Sequence, residues 1–358
     1  MKEFNIAVIP GDGIGQEVTP EAMRVLDAVG EVTQSYKFKY QEFPWGCEYY
    51  LKTGKMMDEN GLEVLRPFDS IFFGAAGYPG KVPDRISLRG LRLKICQGFD
   101  QYVCMRPSII LPGVRSPLAN KKPGDIDIMV VRENTEGEYT GAGGRCHEGL
   151  PIDVAVETSV FTRTGVERII RYAFELALTR PKKHLITSSK SNAQQHIFSF
   201  WDDCFDAIAK EYPQVRTERV LIDALCARFI LRPESVDTVV ASNLHADILT
   251  DIGGAISGSL GVAASTNINA ERKFPSMFES VHGSAIDIFG KGIANPIGQC
   301  WSGALMLDFL GFKKEHDIIL DAIKAVTGEG EFLTPDLGGK AKTREVTDAI
   351  IAKARAAK

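Results

Sequence analysis

Segments with the pattern of buried strands alternate along this chain with segments of helical pattern, and this alternation restricts the fold most. Strands are predicted at about residues 4–9, 70–73, 127–131, 154–160, 184–187, 220–222 and 238–241. Helices are predicted at about residues 16–29, 87–102, 163–178, 193–211, 223–230, 247–258, 296–310, 315–327 and 343–356. Strands that alternate with helices form a sheet covered by helices, so the predicted fold class is α/β.

The length of the chain predicts two domains whose segments are interleaved. A chain of 358 residues is long enough for about two domains with substantial cores. No repeat, low-complexity segment or Pro/Ser-rich linker separates them, so the chain is expected to cross between the domains more than once. The stretch from about residue 259 to 292 is rich in Gly and Ser and is predicted to be irregular.

Composition excludes several classes of protein. A net charge of -4 argues against a surface for nucleic acid or anionic membranes. No apolar run approaches the ~18 residues that a membrane span needs, and the N-terminus has no apolar signal region. The seven cysteines include no Cys-x-x-Cys pair, which is typical of reduced thiols in a cytoplasmic protein.

The Pro-Gly-Asp-Gly-Ile-Gly turn at residues 10–15 follows the first strand and precedes a helix. This invites a dinucleotide-binding interpretation. The G-x-G-x-x-G fingerprint would need its third glycine at position 16, which is Gln16. A glycine turn that joins a strand to a helix explains these residues without a bound cofactor.

Three aspartates suggest a metal site. Asp247 and Asp251 lie four residues apart in a helical segment, so their side chains share one face. Their charges repel unless a cation lies between them, and carboxylate oxygens suit Mg²⁺ or Mn²⁺. Asp223 ends an apolar run, at the position where α/β enzymes place functional side chains. A solvated acidic helix face is the alternative for the first pair.

Two polar segments follow predicted strands and could carry catalytic groups. Arg132 ends a strand and could hold a carboxylate in a bidentate contact. Tyr139 could act as a general acid where neighbouring cations lower its pKa. Lys190, among small polar residues, could act as a base near a metal. The alternatives are a surface turn for residues 132–139 and a helix N-cap with an exposed lysine at residue 190.

The segment at residues 279–296, ESVHGSAIDIFGKGIANP, is the strongest single motif. It contains few residues able to form a core and many whose backbone can approach a ligand closely. An irregular segment of this length is uncommon in a compact domain unless it is functional. A loop that binds phosphate and adenosine fits this composition.

With these motifs in order, the chain resembles the metal-dependent β-decarboxylating dehydrogenases of (2R)-hydroxy acids. This family includes isocitrate, 3-isopropylmalate, homoisocitrate, D-malate and tartrate dehydrogenases. The resemblance extends from the turn at residues 10–15 to residue 296. Three segments are most similar to the tartrate and D-malate branch of the family. They are VPDRISL at 82–88, GFDQY at 98–102 and WSGALML at 301–307.

The resemblance implies an isocitrate/isopropylmalate dehydrogenase-like fold, with two α/β domains, a discontinuous chain and a cleft between the domains. Residues 1–105 and 257–358 would form the cofactor-side domain. Residues 106–256 would form the domain for metal, substrate and dimerisation.

The resemblance also implies roles for matching residues. Tyr139 would protonate the carbon that loses CO₂, and Lys190 would take the hydroxyl proton. Arg106 and Arg132 would hold the substrate carboxylate. Asp223, Asp247 and Asp251 would hold the metal, with Lys190 and Asp223 contributed by the partner subunit of a homodimer. The residues implied for binding the adenosine half of the cofactor are His282, Gly283, Ser284, Ala285, Asp287 and Asn295.

The implied cofactors are NAD, Mn²⁺ or Mg²⁺, and a monovalent cation such as K⁺. Asp287 lies where NAD-using relatives carry the aspartate that binds the ribose hydroxyls, and a carboxylate there would repel a 2′-phosphate. NAD is therefore expected in preference to NADP.

One position departs from the family. Relatives carry an arginine ten residues before the counterpart of Arg106, and here that position is Cys96. Arg92, one helical turn earlier, is the candidate replacement. The polar segment at residues 84–89 suits a small hydroxylated dicarboxylate, so the implied activity is oxidation of tartrate, with decarboxylation of related acids such as D-malate. A dedicated D-malate dehydrogenase and a non-catalytic regulatory subunit are the alternatives.

Overall fold

The computed structural model describes residues 1–357, which fold into two compact units. The first unit comprises Met1–Gln101, Arg106–Ile126 and the chain from Gly254 onward, and the second comprises Tyr102–Met105 and Asp127–Gly253. The chain therefore crosses between the units more than once. Among the described residues, no helix combines the length and apolar character that spanning a bilayer requires.

Strands and helices alternate along most of the chain, which confirms the predicted α/β class. The strands are β1 Lys2–Gly11, β2 Tyr36–Glu42, β3 Ser70–Ala75, β4 Val103–Ile109, β5 Asp127–Glu133, β6 Gly137–Cys146, β7 Val154–Val160, β8 His184–Ser189, β9 Arg216–Leu221, β10 Thr238–Ala241, β11 Ala264–Ile268 and β12 Ser276–Ser280. The helices are α1 Gly15–Thr33, α2 Cys47–Thr53, α3 Gly61–Leu65, α4 Asp84–Ser87, α5 Leu93–Gly98, α6 Arg163–Thr179, α7 Gln195–Ala209, α8 Ile222–Leu231, α9 Asn243–Ile256, α10 Ile297–Phe309, α11 Lys313–Glu329 and α12 Thr343–Ala356.

The first unit contains strands in the order β2-β1-β3-β12-β11, parallel except for the antiparallel β11–β12 pair. Successive side chains of a strand point to opposite faces of a sheet. Ile6 and Val8 accordingly join a core formed with α1, α10, α11 and α12. Ala7 and Ile9 join a second core on the other face, with Trp45 and the helical segment that ends at Gly98. Both faces of these strands are therefore buried.

The second unit contains the parallel strands β5-β10-β8-β9 and the separate antiparallel hairpin β6–β7. Helices α6 and α7 pack together and against these parallel strands. Phe174 of α6 stacks on Phe205 of α7, and the buried Trp201 indole donates a hydrogen bond to Thr187 at the end of β8. This packing fixes the carboxyl ends of β5, β8 and β10, where the candidate functional residues begin.

Several predicted elements differ from the structure. Residues 264–268 and 276–280 form β11 and β12 inside the segment predicted to be irregular. The helical segment predicted at 87–102 begins at Asp84 and ends at Gly98, with a π-helical turn at Leu88–Arg92. Asp223 does not end a strand, because β9 stops at Leu221 and Asp223 lies in the first turn of α8.

Residues 106–126 belong to the first unit, whereas the sequence placed them in the second domain. The backbone N–H of Ile110 donates to the carbonyl of Ile126 at 3.4 Å, which closes this segment on itself. Leu111 and Val114 then pack in the core formed by α1, α10, α11 and α12. Burial of these apolar side chains decides where the segment folds.

Candidate active site

Arg132 lies at the carboxyl end of β5 and binds two residues of helix α9. Its Nε and Nη2 donate to Oδ1 of Asn243 at 3.0 and 2.6 Å, and its Nη1 forms an ion pair with Asp247. The Arg132 side chain is 2% exposed and that of Asp247 is 36% exposed. A ligand would therefore reach this guanidinium from the side of Asp247.

Tyr139, on β6, joins the same cluster. Its hydroxyl donates to Oδ2 of Asp247 at 3.4 Å, and the Arg132 guanidinium lies 5.4 Å from the centre of its ring. Three residues predicted separately from sequence, Arg132, Tyr139 and Asp247, are thus in contact. Residues 132–139 are not a simple surface turn.

Glu138 fixes the start of the helix that carries Asp247 and Asp251. Its carboxylate accepts hydrogen bonds from the Ser242 hydroxyl at 2.8 Å and from the Leu244 backbone N–H at 3.1 Å. An acidic group at a helix N-terminus satisfies unpaired N–H groups and complements the helix dipole. This contact could not be predicted from the sequence, because residues 138 and 244 are distant in the chain.

Asp247 and Asp251 lie on one face of α9, but the predicted third ligand does not join them in one chain. Among residues 1–357, no three His, Cys, Asp or Glu side chains form a group suited to hold a metal ion. Asp223 instead pairs with Lys190, at 2.6 Å from Nζ to Oδ1. The two helix carboxylates are hard oxygen groups of the kind that bind Mg²⁺ or Mn²⁺.

The Lys190–Asp223 pair is the second cluster of predicted residues. Lys190 follows β8, and its carbonyl accepts hydrogen bonds from the N–H groups of Ala193 and Gln194. Helix α7 begins only at Gln195, so Lys190 is not its N-cap. The hydrogen bond and charge of Lys190 lower the pKa of the exposed Asp223 carboxyl, which is therefore ionised at neutral pH.

Glu133 is a buried acid next to Arg132 that sequence reasoning missed. Its carboxylate accepts hydrogen bonds from the N–H and hydroxyl of Thr135, both at 2.9 Å, and from the N–H of Glu136 at 2.8 Å. Burial raises the pKa of Glu133 to about 7, although these three hydrogen bonds oppose the shift. The contacts hold the turn between Arg132 and Tyr139 in place.

Arg92 and Arg106 lie in a buried polar cluster of the first unit. Arg92 Nε donates to both carboxylate oxygens of Glu279, at 2.8 and 3.0 Å, and its Nη2 donates to Asn267 at 3.1 Å. Arg106 Nε donates to the Ser265 hydroxyl at 3.3 Å. Burial alone would raise the pKa of Glu279, but Arg92, Asn267 and Arg106 together lower it, so the carboxylate is ionised.

Cys96 is buried in the apolar core, whereas Arg92 reaches the polar cluster. The π-helical turn at Leu88–Arg92 lies immediately before α5 and changes the angular position of the residues on either side of it. Arg92 and Arg106 both stabilise the ionised form of the buried Glu279 carboxylate.

The loop after β12 lines an apolar pocket of about 210 Å³ in the first unit. The pocket is lined by Ile14, Ser259, Gly261, His282, Ala285, Ile288, Ile293, Asn295, Pro335 and Asp336. His282 Nδ1 donates to the Gly283 carbonyl at 2.7 Å, while its buried Nε2 has no partner among the described residues. Burial lowers the pKa of His282, so the ring is neutral and Nε2 offers an acceptor.

Asp336 was missed by sequence reasoning, yet it organises this pocket. It accepts hydrogen bonds from the Asn295 amide at 2.9 Å and from the Ser259 hydroxyl at 2.6 Å. Asp287 is exposed and does not line the pocket. The Gly290 N–H in the turn that follows Asp287 donates to Glu17.

The glycine turn at residues 10–15 supports this loop and does not form the pocket by itself. Ile14 N–H donates to the Ser284 carbonyl at 2.8 Å. Gly13 has φ +55°, and a Cβ there would lie 2.0 Å from the same carbonyl. Glycine is required because the two segments approach so closely. This agrees with the rejection of a Rossmann fingerprint.

The two α/β units carry arginine, carboxylate, tyrosine and lysine side chains, which are groups suited to binding carboxylates and transferring protons. The sequence profile described as isocitrate/isopropylmalate dehydrogenase matches residues 5–350. The chain therefore belongs to the isocitrate/isopropylmalate dehydrogenase family, and the resemblance found in its sequence is confirmed.

Named relatives and a solved structure are similar over almost the whole chain. A probable tartrate dehydrogenase/decarboxylase of Agrobacterium vitis is 53% identical over 350 residues, 98% of this chain and 97% of the relative. The D-malate dehydrogenase (decarboxylating) of Escherichia coli K12 is 53% identical over 356 residues, 98% of each chain. The crystal structure of isocitrate dehydrogenase from Methylococcus capsulatus has a TM-score of 0.88 at 31% identity, covering 99% of this chain and 100% of that one. The fold expected from the resemblance is thereby confirmed.

Proposed function

We propose that this protein oxidises tartrate and oxidatively decarboxylates related 2-hydroxy acids such as D-malate, with NAD and Mn²⁺ or Mg²⁺. The observation that carries the proposal is the contact of Arg132, Tyr139 and Asp247 in one cluster. The names of relatives about half identical to this chain support the substrate class. The acid, the base and the carboxylates are all present, which favours an enzyme over a non-catalytic subunit.

Each predicted residue has a chemical task in this proposal. Arg132 orients the carboxylate that is lost, so that part of the substrate's binding energy is used to align the reacting groups. Lys190 takes the proton of the C2 hydroxyl as a ketone forms there. Tyr139 donates a proton to the carbon left behind when CO₂ departs. Asp247 and Asp251 would hold the divalent cation, which supplies Lewis-acid polarisation of the C2 oxygen when bound.

NAD is the proposed hydride acceptor, and the loop at residues 282–295 is its proposed adenosine site. The pocket of about 210 Å³ has apolar walls and a buried acceptor, Nε2 of His282, which fits an adenine ring with its amino group. In this proposal the first unit serves the cofactor, and the second, which carries Arg132, Tyr139 and Asp247, serves metal, substrate and dimerisation.

The proposed assembly is a homodimer with shared sites. Within one chain, Asp223 forms an ion pair with Lys190 and does not group with Asp247 and Asp251. In the proposed dimer, Asp223 of the second copy would complete the metal site. Large apolar side chains of the second unit are exposed in the single chain, and a second copy would cover them. These residues include Val154, Val156, Ile230, Leu231, Leu244 and Ile248. The seven free cysteines accord with a reducing, cytoplasmic location.

A substrate panel tests the proposed function. Purified protein is assayed with tartrate stereoisomers, D-malate, isocitrate and 3-isopropylmalate, with NAD and Mn²⁺, while NADH and CO₂ are measured separately. We expect NADH from tartrate and D-malate, CO₂ from D-malate, and loss of both after chelation. Preference for isocitrate or 3-isopropylmalate, or full activity after exhaustive chelation, would contradict the proposal.

A further inference from the structure

Asn243 is the residue that holds the Arg132 guanidinium against the helix of the carboxylates. It is fully buried at the first position of α9, four residues before Asp247. One oxygen, Oδ1, accepts from both Nε and Nη2 of Arg132, while its Nδ2 donates to the Glu136 carbonyl at 3.4 Å. The amide is therefore fixed from both ends.

These contacts decide which edge of the guanidinium a ligand can use. Arg132 has five N–H groups in a planar fork. Among the described residues, Asn243 takes one on Nε and one on Nη2, and Asp247 takes one on Nη1. One N–H remains on each of Nη1 and Nη2 for a further acceptor such as a carboxylate oxygen.

The neutrality of Asn243 matters as much as its position. A carboxylate in its place would form a second ion pair with Arg132, beside the one from Asp247. The guanidinium would then be surrounded by two negative charges and would attract a third carboxylate much less. An amide oxygen binds the same Nε/Nη2 edge of the guanidinium without neutralising its positive charge.

We propose that Asn243 is a positioning residue that orients Arg132 for a substrate carboxylate while leaving its charge available. This inference rests on the proposed function, in which Arg132 binds that carboxylate. It assigns Asn243 no contact with the reacting atoms.

Two substitutions of Asn243 separate its effect on the orientation of Arg132, on the charge around Arg132 and on the stability of the fold. Asn243→Ala removes both hydrogen bonds to Arg132, so substrate affinity should fall. Asn243→Asp keeps the shape and the acceptor. It loses the 3.4 Å hydrogen bond from Nδ2 to the Glu136 carbonyl but places an acidic group at a helix N-terminus, where such groups stabilise, so the two effects on stability oppose each other. A purely structural role therefore predicts that Asn243→Asp is as stable as the wild type and binds substrate equally well. Our proposal predicts equal stability but weakened substrate binding.

The experiment measures KM, kcat and thermal midpoints with D-malate or tartrate, whichever the wild type oxidises, and calorimetric affinities with Mn²⁺ present. Both variants should raise the KM and dissociation constant of the hydroxy acid roughly 10–100-fold, as expected for losing hydrogen bonds to a charged group. The KM for NAD should change less than about two-fold, because the substitutions weaken binding of the hydroxy acid and remove no contact proposed for NAD. Asn120→Asp, the same change in an exposed turn, should match the wild type.

An Asn243→Asp variant that binds the hydroxy acid as tightly as wild type would overturn the inference. Parallel loss of stability, NAD affinity and substrate affinity in both variants would overturn it too, because that pattern marks a structural role. A wild-type protein inactive on every 2-hydroxy acid would instead refute the proposed function.

Discussion

At the scale of single residues, cofactor choice depends in our proposal on one exposed carboxylate, Asp287. It follows Ala285, which lines the pocket, and its side chain is exposed to solvent. In that position it could accept hydrogen bonds from the ribose 2′- and 3′-hydroxyls of NAD, each worth about 1.5–3 kcal/mol for a charged acceptor. A 2′-phosphate would meet a like charge.

Asp287→Ala should therefore raise the KM for NAD roughly ten-fold or more, with little change in the KM for the hydroxy acid. It should also narrow the preference for NAD over NADP, because the repulsion is removed. Steady-state kinetics with both cofactors measure this, and Asp321→Ala, an exposed aspartate on α11, is the matched control. Equal use of NAD and NADP by the wild type would show that Asp287 has another role.

Glu133 predicts a pH dependence of stability with a definite sign. Its pKa is raised from 4.5 to about 7 in the folded protein, mainly by burial. Between these values the folded state holds a proton that the unfolded state has lost, so stability falls as pH rises from about 4.5 to 7 and is level above that. Relative to Glu133→Gln, the wild type should lose on the order of 1–3 kcal/mol over this range.

Urea unfolding from pH 5 to 8 checks the difference between wild type and Glu133→Gln. The exposed Glu148→Gln variant should follow the wild type at every pH. If the two unfolding curves for wild type and Glu133→Gln keep a constant separation across this range, Glu133 does not titrate between the two states.

At the scale of elements, the hairpin β6–β7 requires a partner surface for stability, since an isolated two-stranded sheet is marginal in water. Val154 and Val156 of β7 are 46% and 56% exposed in the single chain. A second copy would bury two such valines from each chain, and a fully buried valine contributes about 1.5–3 kcal/mol.

Replacing both valines with lysine should therefore shift the protein from dimer to monomer at micromolar concentration, as measured by sedimentation equilibrium. Leu51→Lys, at an equally exposed position on α2 of the first unit, should leave the dimer intact. A double variant that stays dimeric, with an unchanged dissociation constant, would place the interface elsewhere.

The elements that sequence predicted well are those with clear periodicity. Strand β10 was predicted at its observed bounds, and α6, α10 and α12 within one or two residues. Strands β11 and β12 were missed because several of their buried residues are polar, such as Ser265, Asn267 and Glu279. Asn267 and Glu279, for example, form a hydrogen bond with each other. Hydrophobic pattern cannot detect such strands.

The residues of the candidate site also divide into those that could be predicted from sequence and those that could not. Residues with distinctive chemistry, such as Arg132, Tyr139 and Lys190, could be selected from sequence because their types suit catalysis. Asn243 and Asp336 could not, because their importance comes from hydrogen bonds to residues about 40 to 110 positions away. Contacts of this kind depend on the folded chain.

At the scale of the whole molecule, shared sites make a quantitative prediction for mixtures of inactive variants. In our proposal each site takes Tyr139 and Arg132 from one chain, and Lys190 and Asp223 from the other. A hybrid of Tyr139→Phe with Lys190→Ala then has one site with both defects and one site with none. Random exchange in an equal mixture makes half of the dimers hybrids, so roughly a quarter of wild-type activity should return.

A second pair of variants is the matched control for this experiment. Tyr139→Phe and Arg132→Ala remove residues that the same chain contributes, so each site of their hybrid keeps one defect and no activity should return. Both mixtures are assayed after subunit exchange has been verified by mass spectrometry of tagged chains. Because sites built from a single chain would leave both mixtures inactive, the contrast between the two pairs reports directly which residues cross the dimer interface.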